Sequence, residues 1–188
     1  MTEKRQLAKL IKRVQKGDSE AFGKIYDGYY DSVYAYVLHQ VGQQADAEDI
    51  TAGVFLDALE RIDGFSWRNA GFEAWLFRIA RNDVLDYFRW HRRRFRDISL
   101  DGTEKPPLPA RSEDPAEAAC NREYLMQAIR NLSEEQQQVI LLKLVADLSN
   151  KQIGEVLLKN EGAIKALRYR ALVSLKRVFD EGEERQDD

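Results

Sequence analysis

Residues 149–178 read SNKQIGEVLLKNEGAIKALRYRALVSLKRV, and the fold of the chain is decided here. Ser149 with Gln152 three positions later forms a capping box ahead of an apolar run, which predicts a helix over 150–157. A short break at Leu158 to Asn160 and a longer helix follow, the layout of a helix-turn-helix. Gly154 falls where the two helices cross, and a small residue there lets the backbones approach. On the longer helix Ile164, Leu167, Ala171, Leu172 and Leu175 are expected inward. Lys165, Arg168, Tyr169, Arg170, Lys176 and Arg177 fall largely elsewhere. Long cations suit phosphates and guanine edges, and an aromatic ring suits thymine methyls or sugars, so this face has the chemistry of a major-groove helix. A solvated basic face on a helical hairpin has the same pattern.

Outward from this stretch the periodicity stays helical. Apolar residues recur at three- and four-residue steps with no sustained alternation, so the chain reads as all-α. A second capping box, Ser133 with Gln136, starts the helix before the helix-turn-helix. Towards the N-terminus, residues 97–115 lose all periodicity and hold the four prolines, Pro106, Pro107, Pro109 and Pro115, among acidic and small residues. They read as a flexible linker. The organisation expected is a domain over 1–96, a linker over 97–115, a second domain over 116–179 and an acidic, frayed tail over 180–188.

Four helices are expected in the first domain. The first runs from Glu3 to Lys16 and stops at Gly17, and either Asp18 or Ser19 can cap the second. That helix carries Phe22, Ile25, Tyr26, Tyr29, Val33, Tyr36 and Val37 as a core stripe. The third spans Asp46 to Ile62 and presents Ile50, Val54, Leu56, Ala58 and Leu59. Residues 64–71 have glycine at both ends and read as a loop. A fourth helix, Phe72 to Arg94, turns Trp75, Leu76, Ile79, Val84, Leu85 and Phe88 inward.

The net charge of -3 hides an alternation along the chain. Residues 64–96 carry 8 Lys/Arg against 3 Asp/Glu (+5) and residues 125–179 carry 9 against 5 (+4), whereas 1–63, 97–124 and 180–188 are acidic. Phosphate binding answers to local charge, so two basic blocks suggest two polyanion contacts. The fourth helix interleaves Arg78, Arg81, Arg89, Arg92, Arg93, Arg94 and Arg96 with Trp75, Phe77, Tyr87, Phe88 and Trp90, and Trp67 and Arg68 stand in the loop before it. Guanidinium groups that follow phosphates and rings that stack on bases are the chemistry of single-stranded nucleic acid. Trp75 shares the core face, and the run of arginines at 92–94 also suits a solvated helix end favoured by the macrodipole.

Other functions find no support. The longest apolar runs, such as Val139 to Leu142, fall far short of the about 20 residues of a membrane span, and the N-terminus lacks a signal-peptide pattern, so the chain is placed in the cytoplasm. A single cysteine, Cys120, and two histidines, His39 and His91, leave no set of metal ligands. No phosphate loop, nucleophile motif or carboxylate pair in a cleft points to an enzyme or a cofactor, and Asp83 and Asp86 read as arginine partners.

Three stretches together resemble the extracytoplasmic-function (ECF) group of bacterial RNA polymerase sigma factors over nearly the whole chain. They are DAEDITAGVFL at 46–56, FEAWLFRIARNDVLDYFR at 72–89, and LSEEQQQVILL at 132–142 with LSNKQIGEVL at 148–157 and EGAIK at 161–165. The resemblance implies that the first domain docks on the clamp helices of the polymerase largest subunit, through the helix matching 46–59. It also implies capture of the minus-ten non-template strand by the segment matching 64–94. Ser66, Trp67, Arg68 and Asn69 then become candidates for the pocket of a flipped base, with Arg78, Arg81, Arg89, Arg92 and Arg93 along the strand. The second domain would bind the minus-thirty-five duplex through Lys165, Arg168, Tyr169 and Arg170 and engage the polymerase flap. The linker would thread towards the active-site cleft and the RNA exit path. Many members are held by an anti-sigma factor, a further partner class.

Two departures bear on the carry-over. Relatives usually have Gln-Glu where this chain has Ala52-Gly53, so docking is expected to rest on Asp46, Glu48, Asp49 and Phe55. The usual turn glycine and following apolar residue are Leu158-Lys159, and a usual serine is Ala166, which implies an altered turn and a different minus-thirty-five preference. A stand-alone helix-turn-helix regulator is the competing reading, and it leaves the arginine-aromatic helix without a task.

Overall fold

The computed structural model describes residues 3–67, 71–96, 125 and 128–183. The expected linker, 97–115, lies outside them, as do Arg68, Asn69 and the last five residues of the tail. The chain divides into two compact units, Met1–Pro109 and Ala110–Asp188. Every regular element among the described residues is helical.

The first unit holds α1 (Glu3–Val14), α2 (Ser19–Val41), α3 (Gln44–Arg61), a single 3-10 turn (Ile62–Gly64) and α4 (Phe72–Arg96). Helix α1 packs on α2, and α2, α3 and α4 pack on one another. Apolar spacing dictates this: Leu7, Ile11 and Val14 line one side of α1, and Ile25, Val33, Tyr36 and Val37 the buried side of α2. Asp18, not Ser19, caps α2, accepting from the Ala21 N–H at 3.0 Å. That N–H and the Arg13 guanidinium, 2.7 Å away, hold its carboxyl below the usual range. Gly17 at φ +85 and Gly42 at φ +79 end α1 and α2 in left-handed turns.

Three inward faces differ from expectation. On α3 the buried side is Ala47, Thr51, Val54, Phe55 and Ala58, so Leu56, 58% exposed, and Leu59 stand outside. On α2 the rings of Tyr26, Tyr30 and Tyr34 form a half-buried ladder over Phe55, with successive centroids 5.1 and 5.9 Å apart. On α4, Phe72 and Phe77 are buried as well, Phe77 meeting Tyr36 edge-on at 5.7 Å, because this helix is flanked by both α2 and α3.

The second unit holds a helical turn at 128–130, α5 (Glu134–Ala146), α6 (Asn150–Leu157) and α7 (Glu161–Glu183). Both capping boxes form: the Ser133 N–H donates to Gln136 Oε1 at 3.1 Å, and the Ser149 N–H to Gln152 Oε1 at 2.9 Å. Val139, Ile140, Leu141 and Leu142 of α5 close over Ile153, Val156, Ile164, Leu167, Ala171 and Leu175, while Leu172, expected inward, is exposed. Helix α7 extends to Glu183, into the segment expected to fray. Among the described residues no helix is long and apolar enough to cross a membrane.

Candidate nucleic-acid interface

The loop ahead of α4 rests on an aromatic base. Gln15 donates through Nε2 to the carbonyls of Ile62 (2.8 Å) and Phe65 (3.1 Å), tying the end of α1 to the loop's first residues. Phe65 sits 5.2 Å from Trp75, 5.5 Å from Trp67 and 5.6 Å from Phe72. Tyr29 meets Phe72 at 5.6 Å, and its hydroxyl donates to Glu73 at 3.4 Å. Gly71 turns the chain into α4 at φ +94, where an added Cβ would come within 3.1 Å of the Glu73 carboxylate. From this base Trp67 projects 40% exposed, next to exposed Ser66, while Trp75 is half-buried. The two other expected pocket residues, Arg68 and Asn69, are outside the described region.

Along α4 the arginines form a track. At 3.6 residues per turn, Arg78, Arg81, Arg89, Arg92 and Arg93 all fall within one sector of about 120°, on the side away from the core. Arg78, Arg89, Arg92 and Arg93 are exposed and Arg81 is half-buried. Arg89 pairs with Asp86 at 2.9 Å, an i,i+3 surface pair of small energetic weight. Asp83 is not an arginine partner of this kind. It is pushed up to about 6 by burial first, then by Asp57 of α3, with the Arg61 charge opposing.

The acidic candidates on α3 separate. Glu48 and Asp49 are exposed, and Glu48 accepts from Gln44 at 2.9 Å. Asp46 is engaged from inside, accepting the Tyr87 hydroxyl of α4 at 2.6 Å. Burial, with this bond to Asp46, pushes the Tyr87 hydroxyl above its ordinary range. Phe55 is a correction: at 3% exposure, with its ring 4.6 Å from Tyr26, it belongs to the core and offers no docking surface. The outward stripe is Glu48, Asp49, Ala52, Leu56 and Leu59. Its four-residue spacing was the signal that could have found the two leucines.

In the second unit the turn between α6 and α7 is tight. Leu158 takes the left-handed conformation at φ +55, and the Lys159 N–H returns to the Gly154 carbonyl at 2.9 Å. A Cβ on Gly154 would lie 2.6 Å from the Lys159 carbonyl oxygen and 3.7 Å from Ile164. The small residue is therefore needed first by the turn and only then by the facing helix. Asn160 caps α7, accepting the Ala163 N–H at 2.8 Å.

The four recognition candidates all lie on the first half of α7. Lys165 pairs with Glu161 at 2.9 Å, and Arg168 is half-buried, its Nη1 donating to Asn150 Oδ1 at the start of α6. Arg170 is exposed, its Nε donating to the Ala166 carbonyl at 3.3 Å, and Tyr169 is widely exposed. Lys165 and Tyr169 share the outer face, four residues apart.

Comparison with known proteins gives a consistent pattern. Residues 25–94 match the sigma-70 region 2 family and residues 122–175 the sigma-70 region 4 family. The chain is 38% identical over 174 residues to the ECF RNA polymerase sigma factor BldN of Streptomyces coelicolor, spanning 93% of this chain and 66% of that protein. It is 33% identical over 179 residues to the ECF RNA polymerase sigma factor SigW of Bacillus subtilis, spanning 91% and 95%. The sigma factor RpoE of Bartonella quintana, solved in complex with the anti-sigma factor NepR, shares the fold at a TM-score of 0.67. It is 20% identical, with 85% of this chain and 96% of that one covered.

Proposed function

Since the chain belongs to the ECF sigma factors of RNA polymerase, we propose that it binds core polymerase in the cytoplasm and directs promoter-specific initiation by reading two DNA elements in two chemical ways. One observation supports this most: a five-arginine track headed by an exposed tryptophan in one unit, and a capped helix-turn-helix with a basic outer helix in the other. Residues 1–96 act as the region that captures the minus-ten non-template strand, and 116–179 as the region that binds the minus-thirty-five duplex and the polymerase flap.

Ser66 and Trp67, with Arg68 and Asn69, receive a base extruded from the opening duplex. Extrusion costs a few kcal/mol, and a pocket that repays this for one base melts and reads the promoter together. Arg78, Arg81, Arg89, Arg92 and Arg93 follow the phosphates of the same strand. Lys165, Arg168, Tyr169 and Arg170 meet the duplex. Arg168, bonded to Asn150, also fixes α7 against α6. Glu48 and Asp49 meet the clamp helices, Asp46 holds α3 to α4 through Tyr87, and an anti-sigma factor is a fitting regulator. The protein acts as an initiation factor with no catalytic centre of its own.

The competing reading, a stand-alone regulator, separates on core binding. Titrating fluorescently labelled protein with core polymerase is expected to give a saturable one-to-one complex, weakened at least tenfold by Glu48→Lys with Asp49→Lys. Binding to duplex DNA with no complex at any core concentration contradicts the proposal.

A further inference from the structure

Trp90 lies far from the strand-capture loop and has no part in the two contacts above. It is 53% exposed near the end of α4, four residues after Asp86, beside Arg89 and Arg93. Its ring is held in place: it stands edge-on to His91 at 4.9 Å and 74°, and His91 lies 4.1 Å from Tyr87. The Tyr87 hydroxyl reaches Asp46 of α3, so a chain of contacts runs from the helical core to this indole. Leaving so large an apolar ring in water among cations is unfavourable unless something covers it, and the flanking arginines favour a phosphate-bearing partner.

Distance decides which DNA this is. Trp90 stands 18 residues beyond Phe72, about 27 Å along the helix from the Trp67 loop at 1.5 Å per residue, or about eight nucleotides at 3.4 Å each. We infer that Trp90, backed by His91 and flanked by Arg92 and Arg93, forms a second DNA contact that grips the sugar–phosphate backbone of the still-paired duplex upstream of the captured strand. The indole Nε1–H is a donor only, suited to a phosphate oxygen, and the ring packs on deoxyribose. The two guanidinium groups neutralise neighbouring phosphates. This contact reads no base and lengthens the footprint towards the minus-thirty-five side. It rests on the sigma-factor reading.

Holoenzyme assembled from core polymerase and the full chain tests it on two forked templates with the same minus-ten strand. In one the upstream duplex ends at the element, and in the other it continues about ten base pairs further. Trp90→Ala is expected to weaken binding about tenfold on the long template and not on the short one, with Trp90→Phe in between because it keeps a ring and loses the donor. Trp67→Ala should weaken both, and an unchanged melting temperature for Trp90→Ala keeps misfolding apart from lost contact. Equal loss on both templates, no loss on the long one, or a loss that follows added downstream duplex overturns the Trp90 contact. Failure of wild-type holoenzyme to select either template overturns the sigma-factor reading as well.

Discussion

Helices α4 and α7 are both long and basic, with 25 and 23 residues, yet they present their cations differently. On α4 the arginines stand on the face opposite the core, and rings gather at both ends, Phe65, Trp67 and Trp75 at one and Tyr87, Trp90 and His91 at the other. On α7 the cations are drawn into intramolecular bonds, Lys165 to Glu161 and Arg168 to Asn150, and one exposed ring, Tyr169, stands among them. A surface of arginines and rings suits unpaired bases, which offer π faces. A helix with braced cations suits a duplex whose bases are reached only by their edges. The backbones differ in parallel. The left-handed turns of the first unit fall on Gly17, Gly42 and Gly71, whereas those of the second fall on Asp147 and Leu158, so the second unit holds strain in its turns.

The largest effect should come from the turn itself. Gly154→Ala puts a methyl against a backbone carbonyl, and about 3 kcal/mol of destabilisation is expected, confined to the second unit and read by calorimetry as one lowered transition. An unchanged transition would mean that the turn is not held by this approach. Next, Trp67→Ala should cut strand capture by about tenfold or more, at about 1–3 kcal/mol per stacked base, while closed-complex binding through α7 persists. Equal losses in both would erase the distinction between the two surfaces.

A smaller effect of opposite sign is expected at Leu158. The side chain is 76% exposed and packs little, so Leu158→Gly should stabilise the second unit by about 1 kcal/mol through relief of the left-handed strain. Destabilisation there would show that the leucine makes a contact that outweighs the strain.

The smallest effect belongs to the first unit. Asp83 has a folded-state value of about 6, above its ordinary 3.8, so the folded state binds the extra proton between these values. Its contribution is therefore favourable at pH 4 and lost as pH rises through 6. Asp83→Asn should raise the melting temperature at pH 7 and flatten its dependence between pH 4 and 6. A pH dependence like that of the wild type would place the burial elsewhere.

The helical class, the two basic blocks and both capping boxes were legible because each depends on residues close in sequence: Ser133 with Gln136, Ser149 with Gln152. The errors share one cause. Phe55 and Leu56 are neighbours on a helix with two packing partners, and which of the two turns inward was set by Tyr26 and Tyr30, some 25 residues away. Asp46 read as a surface acid because Tyr87, its hydroxyl partner, comes 41 residues later. Arg168 read as a groove contact alone, since its bond to Asn150 spans the turn. A local pattern carries no trace of such partners. Leu158 was visible as a departure from the usual glycine, but its adoption of the left-handed conformation followed only from the folded turn.

The central claim is that two surfaces of one chain direct polymerase to promoters. Transcription of a genomic library by core polymerase with and without the protein, with the new 5′ ends sequenced, tests it most directly. The account predicts new start sites that share two sequence elements at fixed spacing, with the element nearer the start degraded by Trp67→Ala and the farther one by Arg170→Ala. New starts that share no element, or no new starts from a protein that binds core polymerase, would contradict it.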